Sequence, residues 1–314
     1  MNNTFNPIKG AILCFALITS ILVSSKLNAA SPGNDSYSTK LLIERLNDLD
    51  LEVDVRLTRK VKNYIKDYTL LARRSSEISL GKATLYFPIF EEMNNSFGLP
   101  DELKYLMVIE STLDPTIKSK SGARGLWQLM PATARGHGLQ INDYVDERCD
   151  PYRSTSAALQ HLTDLYNEFG NWTIAIAAYN CGNGRMRSAI KKGKSKNFWK
   201  IKSHLPKETQ GYVEKFIAAA YMMEYYSFYD LRPDYPDYTE QYTEAMLTYD
   251  YGKLSEISEK ENVNLDLLKV LNPSYNMDII PVSRAGNIII LPSLNRDPIK
   301  RTASLLDPLD VDGL

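Results

Sequence analysis

From residue 56 to residue 230, apolar positions recur at helical spacing with polar residues filling the intervals. In "TRKVKNYIKDYTLLARRSSEI" a 3.6-residue period puts Val61, Tyr64, Ile65, Tyr68 and Leu71 on one face, which predicts a helix with that face inward. "ATLYFPIFEEMNNSFG" predicts a second helix, stopped by Gly98 in the left-handed conformation. "GLPDELKYLMVIES" predicts a third, with Pro100 in its first turn, acidic residues near its positive end and Pro115 beyond its end. "STSAALQHLTDLYNEFG" reads as a helix capped by Ser154 or Thr155 and ended by Gly170, and "NWTIAIAAYNCG" as one ended by Gly182. "ETQGYVEKFIAAAYMMEYY" supplies a further apolar-rich helix. Strand-like alternation is scarce before residue 245, so this part is mostly α.

Beyond residue 230 the pattern changes. Residues 231–245 mix prolines and tyrosines and read as a linker, whose tyrosines serve packing against the helical domain or stacking on sugar rings. "KLSEISEKENVNLDLLKVLNPS" predicts two short helices separated by Asn262, Val263 and Asn264, and "NIIILP" a strand ending at Pro292. Residues 246–292 thus read as a strand-helix-helix-strand module, with 293–314 as a tail. At the other end "AILCFALITSILVSS" is an apolar run after a single lysine, followed by small residues. Residues 1–30 therefore read as a secretory signal peptide cleaved after Ala30, with a retained anchor as the alternative, and residues 31–55 as a linker and lead-in.

Composition adds exclusions. The chain of 314 residues is 44% hydrophobic and 24% charged with a formal net charge of −1, which suits a globular protein and gives no whole-molecule case for binding nucleic acid. Three histidines, no HExxH and no CxxC leave a metal site without support, and no nucleotide-binding glycine pattern or G-x-S-x-G elbow is present. No cofactor is expected. The basic stretch "RMRSAIKKGKSKNFWKIKSHLPK" reads as a solvated loop or as an attractor of an anionic polymer. Once the signal peptide is removed, Cys149 and Cys181 remain, either as a disulfide pair suited to an exported protein or as two separate buried thiols.

One residue breaks the apolar pattern. Leu103, Leu106, Met107 and Glu110 share a helical stripe, so Glu110 continues the greasy face. Either the carboxylate turns out to solvent or pairs with an arginine, or it stays buried with its pKa raised by desolvation, as a general acid requires. Downstream, Ser119 and Gln128 offer neutral hydrogen-bonding groups, Trp127 and Met130 offer apolar surface, and Gly122 and Gly125 mark an unusual backbone path. That mixture suits a glycan, which needs flat apolar contacts together with uncharged polar groups. Tyr179 and Asn180 stand at a helix end before two glycines. Asp114, beside Pro115, reads as a turn residue.

Taken together, "ESTLDPTIKSKSGARGLWQLMPATA", "AYNCG" and "LPKETQGYV" resemble the lytic transglycosylase family with the goose-lysozyme-like SLT domain, arranged in the manner of its membrane-bound D type. The likeness runs over about residues 56–230, with Met107 where the family usually has proline. It implies a lysozyme-like α-helical catalytic domain in which Glu110 is the acid/base, and Ser119, Gln128, Met130, Tyr179, Asn180 and Tyr212 line the substrate cleft. It also implies peptidoglycan glycan strands as substrate, cleavage between N-acetylmuramic acid and N-acetylglucosamine without water, and a periplasmic location, either free or associated with the envelope membrane. The sequence gives no oligomeric state, and a monomer is favoured. A muramidase on the same fold and a non-catalytic wall-binding protein are the alternatives. The C-terminal module resembles a LysM domain, although "YDYGKLSEI" replaces the usual Gly-Asp-Thr-Leu opening.

Overall fold

The computed structural model describes residues 34–284 and 286–293. The expected signal peptide, and the expected tail beyond residue 293, lie outside them. The chain divides into two compact units at Pro236 and Asp237.

The first unit is helical: α1 (Thr39–Asp48), α2 (Arg59–Lys66), α3 (Arg73–Phe97), α4 (Tyr105–Ser111), α5 (Pro131–Gly136), α6 (Pro151–Phe169), α7 (Trp172–Cys181), α8 (Asn183–Gly193), α9 (Phe198–Ile201) and α10 (Tyr212–Tyr225). At its centre is α7, buried without a break from Trp172 to Ala178. A helix apolar on every side has no solvent face, and α6, α8 and α10 enclose this one. In turn α10 packs on α2 and α4, and α3 packs on α6. The expectation of a mostly α fold is met.

Local chemistry corrects several of the expected boundaries. The lead-in read as a linker contains α1, capped by the Ser38 hydroxyl on the Leu41 amide, and its Leu42 and Leu46 are in the core. Leu71 is 76% exposed, whereas Val61 and Ile65 of the same expected face are wholly buried. A π-helical turn over Asp67–Leu71, closed by the Ala72 amide on the Asp67 carbonyl at 2.7 Å, inserts one residue and rotates the later positions off that face. Thr69 takes the inward place and bonds the Tyr37 hydroxyl at 2.8 Å. The start of α6 is capped by Asp150, whose carboxylate accepts the Tyr152 and Arg153 amides at 2.9 Å, with Pro151 at the first helical position, so Ser154 and Thr155 are interior. Gly98 and Gly170 end their helices at positive φ, as expected.

The expected disulfide is not formed. Cys149 and Cys181 are buried free thiols. Cys149 lies in a 3₁₀ turn beside Arg124 and Arg148, while Cys181 ends α7 and donates to the Gly182 carbonyl at 3.6 Å. Each has its own polar surroundings, and burial pushes the Cys149 thiol up to about 12.

The helical unit also runs past residue 230. Leu231 is buried, and the Asp234 amide donates to the Glu77 carbonyl at 2.9 Å. There the chain crosses α3 over Gly81, where a Cβ would stand 1.7 Å from the Asp234 carbonyl oxygen.

The second unit comprises α11 (Tyr238–Gln241), β1 (Thr243–Thr248), α12 (Leu254–Glu261), α13 (Leu265–Leu271) and β2 (Asn287–Pro292). Its strands pair antiparallel, Thr243 opposite Pro292 and Thr248 opposite Asn287. Leu254, Val263, Leu268, Ile280, Ile289 and Leu291 form its core. Asn264 caps α13, and the Asn272 side-chain amide both donates to the Ile290 carbonyl at 2.7 Å and accepts its N–H at 2.8 Å, fastening helix to strand. The expected strand-helix-helix-strand order is observed, with β1 beginning inside the stretch read as linker.

Candidate active site

The site is built around the last turn of α4. That helix stops at Ser111, and Thr112 and Leu113 both take φ of +56°, an unfavourable conformation for side chains with a Cβ. Leu113 is nevertheless fully buried, and the Ser111 hydroxyl bonds the Leu126 carbonyl at 2.8 Å, so packing and a hydrogen bond enforce the turn. Glu110 is thereby held at the helix end, half-buried, above a fully buried Leu103, Leu106 and Met107.

Its carboxyl receives a hydrogen bond from the Tyr212 hydroxyl at the start of α10. Burial pushes the Glu110 pKa up to about 7, while the Tyr212 bond and the Lys215 ammonium pull against that rise and the Glu208 charge adds to it. Lys215, one turn along α10 from Tyr212, donates to the Ile109 carbonyl at 3.0 Å. It therefore grips the backbone just before the carboxyl and sets a positive charge beside it. Glu110 is half-buried rather than turned fully to solvent, and a tyrosine rather than an arginine bonds it.

Tyr179 and Asn180 approach from α7. The Glu110 charge pushes the Tyr179 phenol up further than burial alone, which puts the two side chains within electrostatic reach. The Tyr179 hydroxyl donates to the Trp127 carbonyl at 2.7 Å, and Asn180 accepts from the Thr209 hydroxyl at 2.7 Å, just ahead of Tyr212. Thus α7, the loop before α5 and the turn before α10 are tied together around Glu110.

That loop, residues 117–130, carries the remaining expected residues. Gly125, at φ +84°, passes so close to the 3₁₀ turn at Cys149 that a Cβ would lie 1.8 Å from the Arg148 carbonyl oxygen. Gln128, at φ +47°, turns its amide nitrogen onto the Ile117 and Gly125 carbonyls, both at 3.0 Å. Ser119 accepts the Ala123 amide at 3.0 Å and bonds Ser121 at 3.0 Å. Met130 is 43% exposed. Trp127, expected to offer apolar surface, is instead wholly buried, with its indole N–H on the Thr155 hydroxyl at 2.9 Å. Asp114 accepts the Thr116 amide and hydroxyl, the turn role expected for it.

Three contributors escape a reading of the sequence: Lys215, Glu208 and Thr209. Each stands in or beside "LPKETQGYVEKF", and only the approach of α10 to α4 gives them a role. For metals, His137 and His161 meet at 3.3 Å, but among the described residues no cluster of three or more ligating side chains exists.

Residues 87–202 match the family model for the transglycosylase SLT domain. The matched stretch contains every expected site residue except Tyr212. The chain is homologous to the membrane-bound lytic murein transglycosylase D of Escherichia coli, at 30% identity over 210 residues, 65% of this chain and 46% of the relative. It spans less than half the length of that relative. A soluble lytic murein transglycosylase of Salmonella typhimurium is 35% identical over 125 residues, 36% of this chain and 19% of its own. Among solved structures, the 70 kDa soluble lytic transglycosylase of Escherichia coli aligns with a TM-score of 0.40 at 27% identity, covering 45% of this chain and 24% of that one.

Proposed function

We propose that the protein is an exported peptidoglycan lytic transglycosylase. It cleaves the β-1,4 bond between N-acetylmuramic acid and N-acetylglucosamine and leaves 1,6-anhydromuramic ends. The observation that carries this reading is the Glu110 carboxyl, poised near neutrality and bonded by Tyr212. A group near pKa 7 holds its proton often enough to donate it, and releases it readily enough to take another back.

The reaction follows from that capacity. Glu110 gives its proton to the glycosidic oxygen, and the bond from that oxygen to muramic C1 breaks. The Lys215 ammonium steadies the carboxylate so formed, and Tyr212 keeps it aimed. The muramic C6 hydroxyl then attacks C1 and its proton passes to Glu110, restoring the acid. No water enters, and the nucleophile belongs to the substrate, so its effective concentration is high without a second carboxylate. Ser119, Gln128, Met130, Tyr179 and Asn180 line the cleft. Support comes from the SLT domain and the named relatives.

Export and a periplasmic location rest on the apolar run near the amino terminus. Among the described residues no helix is long and apolar enough to cross a membrane. The second unit is read as a LysM-like module that holds the enzyme on N-acetylglucosamine-containing chains, and the whole as a monomer without cofactor or metal.

A muramidase reading has one observation in its favour: the Glu208 carboxylate lies close enough to raise the Glu110 pKa, and inverting or retaining hydrolysis uses two carboxylates. Digestion of purified sacculi with the protein and with Glu110→Gln decides the matter. Muropeptides one water lighter than hydrolysis products, absent with the variant, are expected. Water-added products would make the enzyme a hydrolase and point to Glu208. Absence of release by the unaltered protein would leave a wall-binding protein.

A further inference from the structure

The catalytic scheme leaves one charged feature unused. From Asn183 to Lys207 the chain carries nine lysines and arginines and no aspartate or glutamate, in a protein whose net charge is −1. This excursion begins and ends at the site. It leaves α7 just after Asn180 and returns at Thr209, whose hydroxyl closes it on Asn180 at 2.7 Å.

Four of its cations are consumed by the fold: Lys202 pairs with the buried Glu214 at 2.9 Å, Arg187 with Glu168 at 2.7 Å, Lys196 donates to the Phe169 carbonyl at 3.2 Å and Arg185 to the Cys181 carbonyl at 3.3 Å. Lys191 and Lys192 close the negative end of α8, where positive charge is favoured. Lys194 at the end of α8, Lys200 in the last turn of α9 and Lys207 in the returning loop are exposed and, among the described residues, form no ion pair. Like charges gathered without counter-charges repel one another, and an anionic partner relieves that repulsion.

The partner's character follows from the apolar residues nearby. A surface that enters a lipid headgroup layer presents apolar side chains among its lysines. Here Phe198 and Ile201 are buried, and Trp199 is half-buried with the Arg56 and Lys202 cations over its ring. The excursion is charged and lacks exposed apolar wedges. It meets polymer charge, not bilayer.

We propose that this basic excursion docks the free carboxylates of the peptide stems borne by the strand whose glycan occupies the cleft. The proposal rests on the lytic transglycosylase reading. Peptidoglycan has an uncharged sugar repeat except where stems hang from it, so a cleft built for sugar faces cannot sense stems. Exposed lysines on an excursion that leaves and rejoins the site can, through charge-assisted hydrogen bonds that salt weakens. The enzyme then holds stem-bearing strands more tightly than bare or amide-capped ones.

The test is co-sedimentation of the full chain with insoluble sacculi, native or with stem carboxylates converted to methylamides. Anhydro-muropeptide release is measured separately on the same samples. The combined variant Lys194→Gln, Lys200→Gln, Lys207→Gln is compared with its arginine counterpart. Binding to native sacculi is expected to fall about tenfold in the glutamine variant, because three exposed charge pairs each contribute modestly and together reach that ratio. Amide capping should weaken the unaltered protein equally and leave the glutamine variant unmoved, and the arginine variant should bind normally. Equal binding by all proteins, or equal loss on native and capped sacculi, overturns the proposal. So does loss of binding to vesicles containing anionic phosphatidylglycerol with sacculus binding intact, which would make the partner a membrane. If charge-dependent binding is found while no anhydro product is released, the docking surface stands and the transglycosylase reading falls.

Discussion

Glu110 shows how a single side chain is poised by opposing forces. Burial alone would leave it protonated and idle as a base, and hydrogen bonding with a nearby cation alone would leave it ionised and idle as an acid. Tyr212 and Lys215 offset enough of the desolvation to bring the balance to about 7. Removing one of them tilts it in a known direction. In Tyr212→Phe the carboxylate loses a donor, its charged form is less favoured, and the pKa rises. Because the protonated form starts the reaction, the alkaline limb of kcat/KM should move to higher pH. Rates on the plateau should fall about tenfold through lost orientation. A pH–rate profile on soluble glycan strands checks both, and an unmoved limb would mean Tyr212 does not govern the carboxyl. At this scale the sequence is informative about Glu110, because an acidic residue on an apolar helical stripe is anomalous by itself. Lys215 is not anomalous: a lysine on an amphipathic helix has an ordinary solvent-facing explanation, and only the Ile109 carbonyl reveals otherwise.

Among the elements, helices are legible and their phase is not. Periodicity marks α2 correctly but carries through Leu71, since a π turn costs one residue that no apolar pattern announces. Likewise the polar look of residues 31–55 hides α1, which needs only Leu42 and Leu46 to anchor it. The loop of residues 117–130 is recognisable by its glycines, yet the reason for Gly125 lies elsewhere, in a turn two dozen residues away. Positive φ and the contact with Arg148 act together there. Gly125→Ala should destabilise the helical unit by about 2–4 kcal/mol, because strain at the left-handed position adds to a clash with backbone that cannot move aside. Chemical denaturation measures this. Gly122→Ala, at φ +91° with no atom within 4 Å of an added Cβ, should cost about 1 kcal/mol and serves as the comparison.

For the molecule as a whole, composition change locates two units and brackets their junction, but it does not show that both ends of the bracket belong to the units. The tyrosine and proline content of residues 231–245 suggests one linker, whereas Leu231 to Pro236 belongs to the helical unit and β1 begins soon after. A chain ended after Pro236 should therefore keep the cleavage of soluble strands, whereas one ended after Asp230 should lose about 2 kcal/mol or more of stability with Leu231 and the strap over α3. Thermal unfolding of the two truncations separates them, and equal melting would return the boundary to residue 230.

The Glu110–Tyr212 hydrogen bond joins residues 102 apart in sequence. Loops of that length are closed late, after local helices have formed. As the chain emerges from a ribosome, α4 appears long before α10, and until α10 docks the carboxyl lacks both its phenol and its ammonium. Fragments shortened by proteolysis or stalled synthesis share that deficiency. On the lytic transglycosylase reading, cutting power is thus acquired only when the helical unit is nearly whole, so the order of folding itself acts as a safeguard.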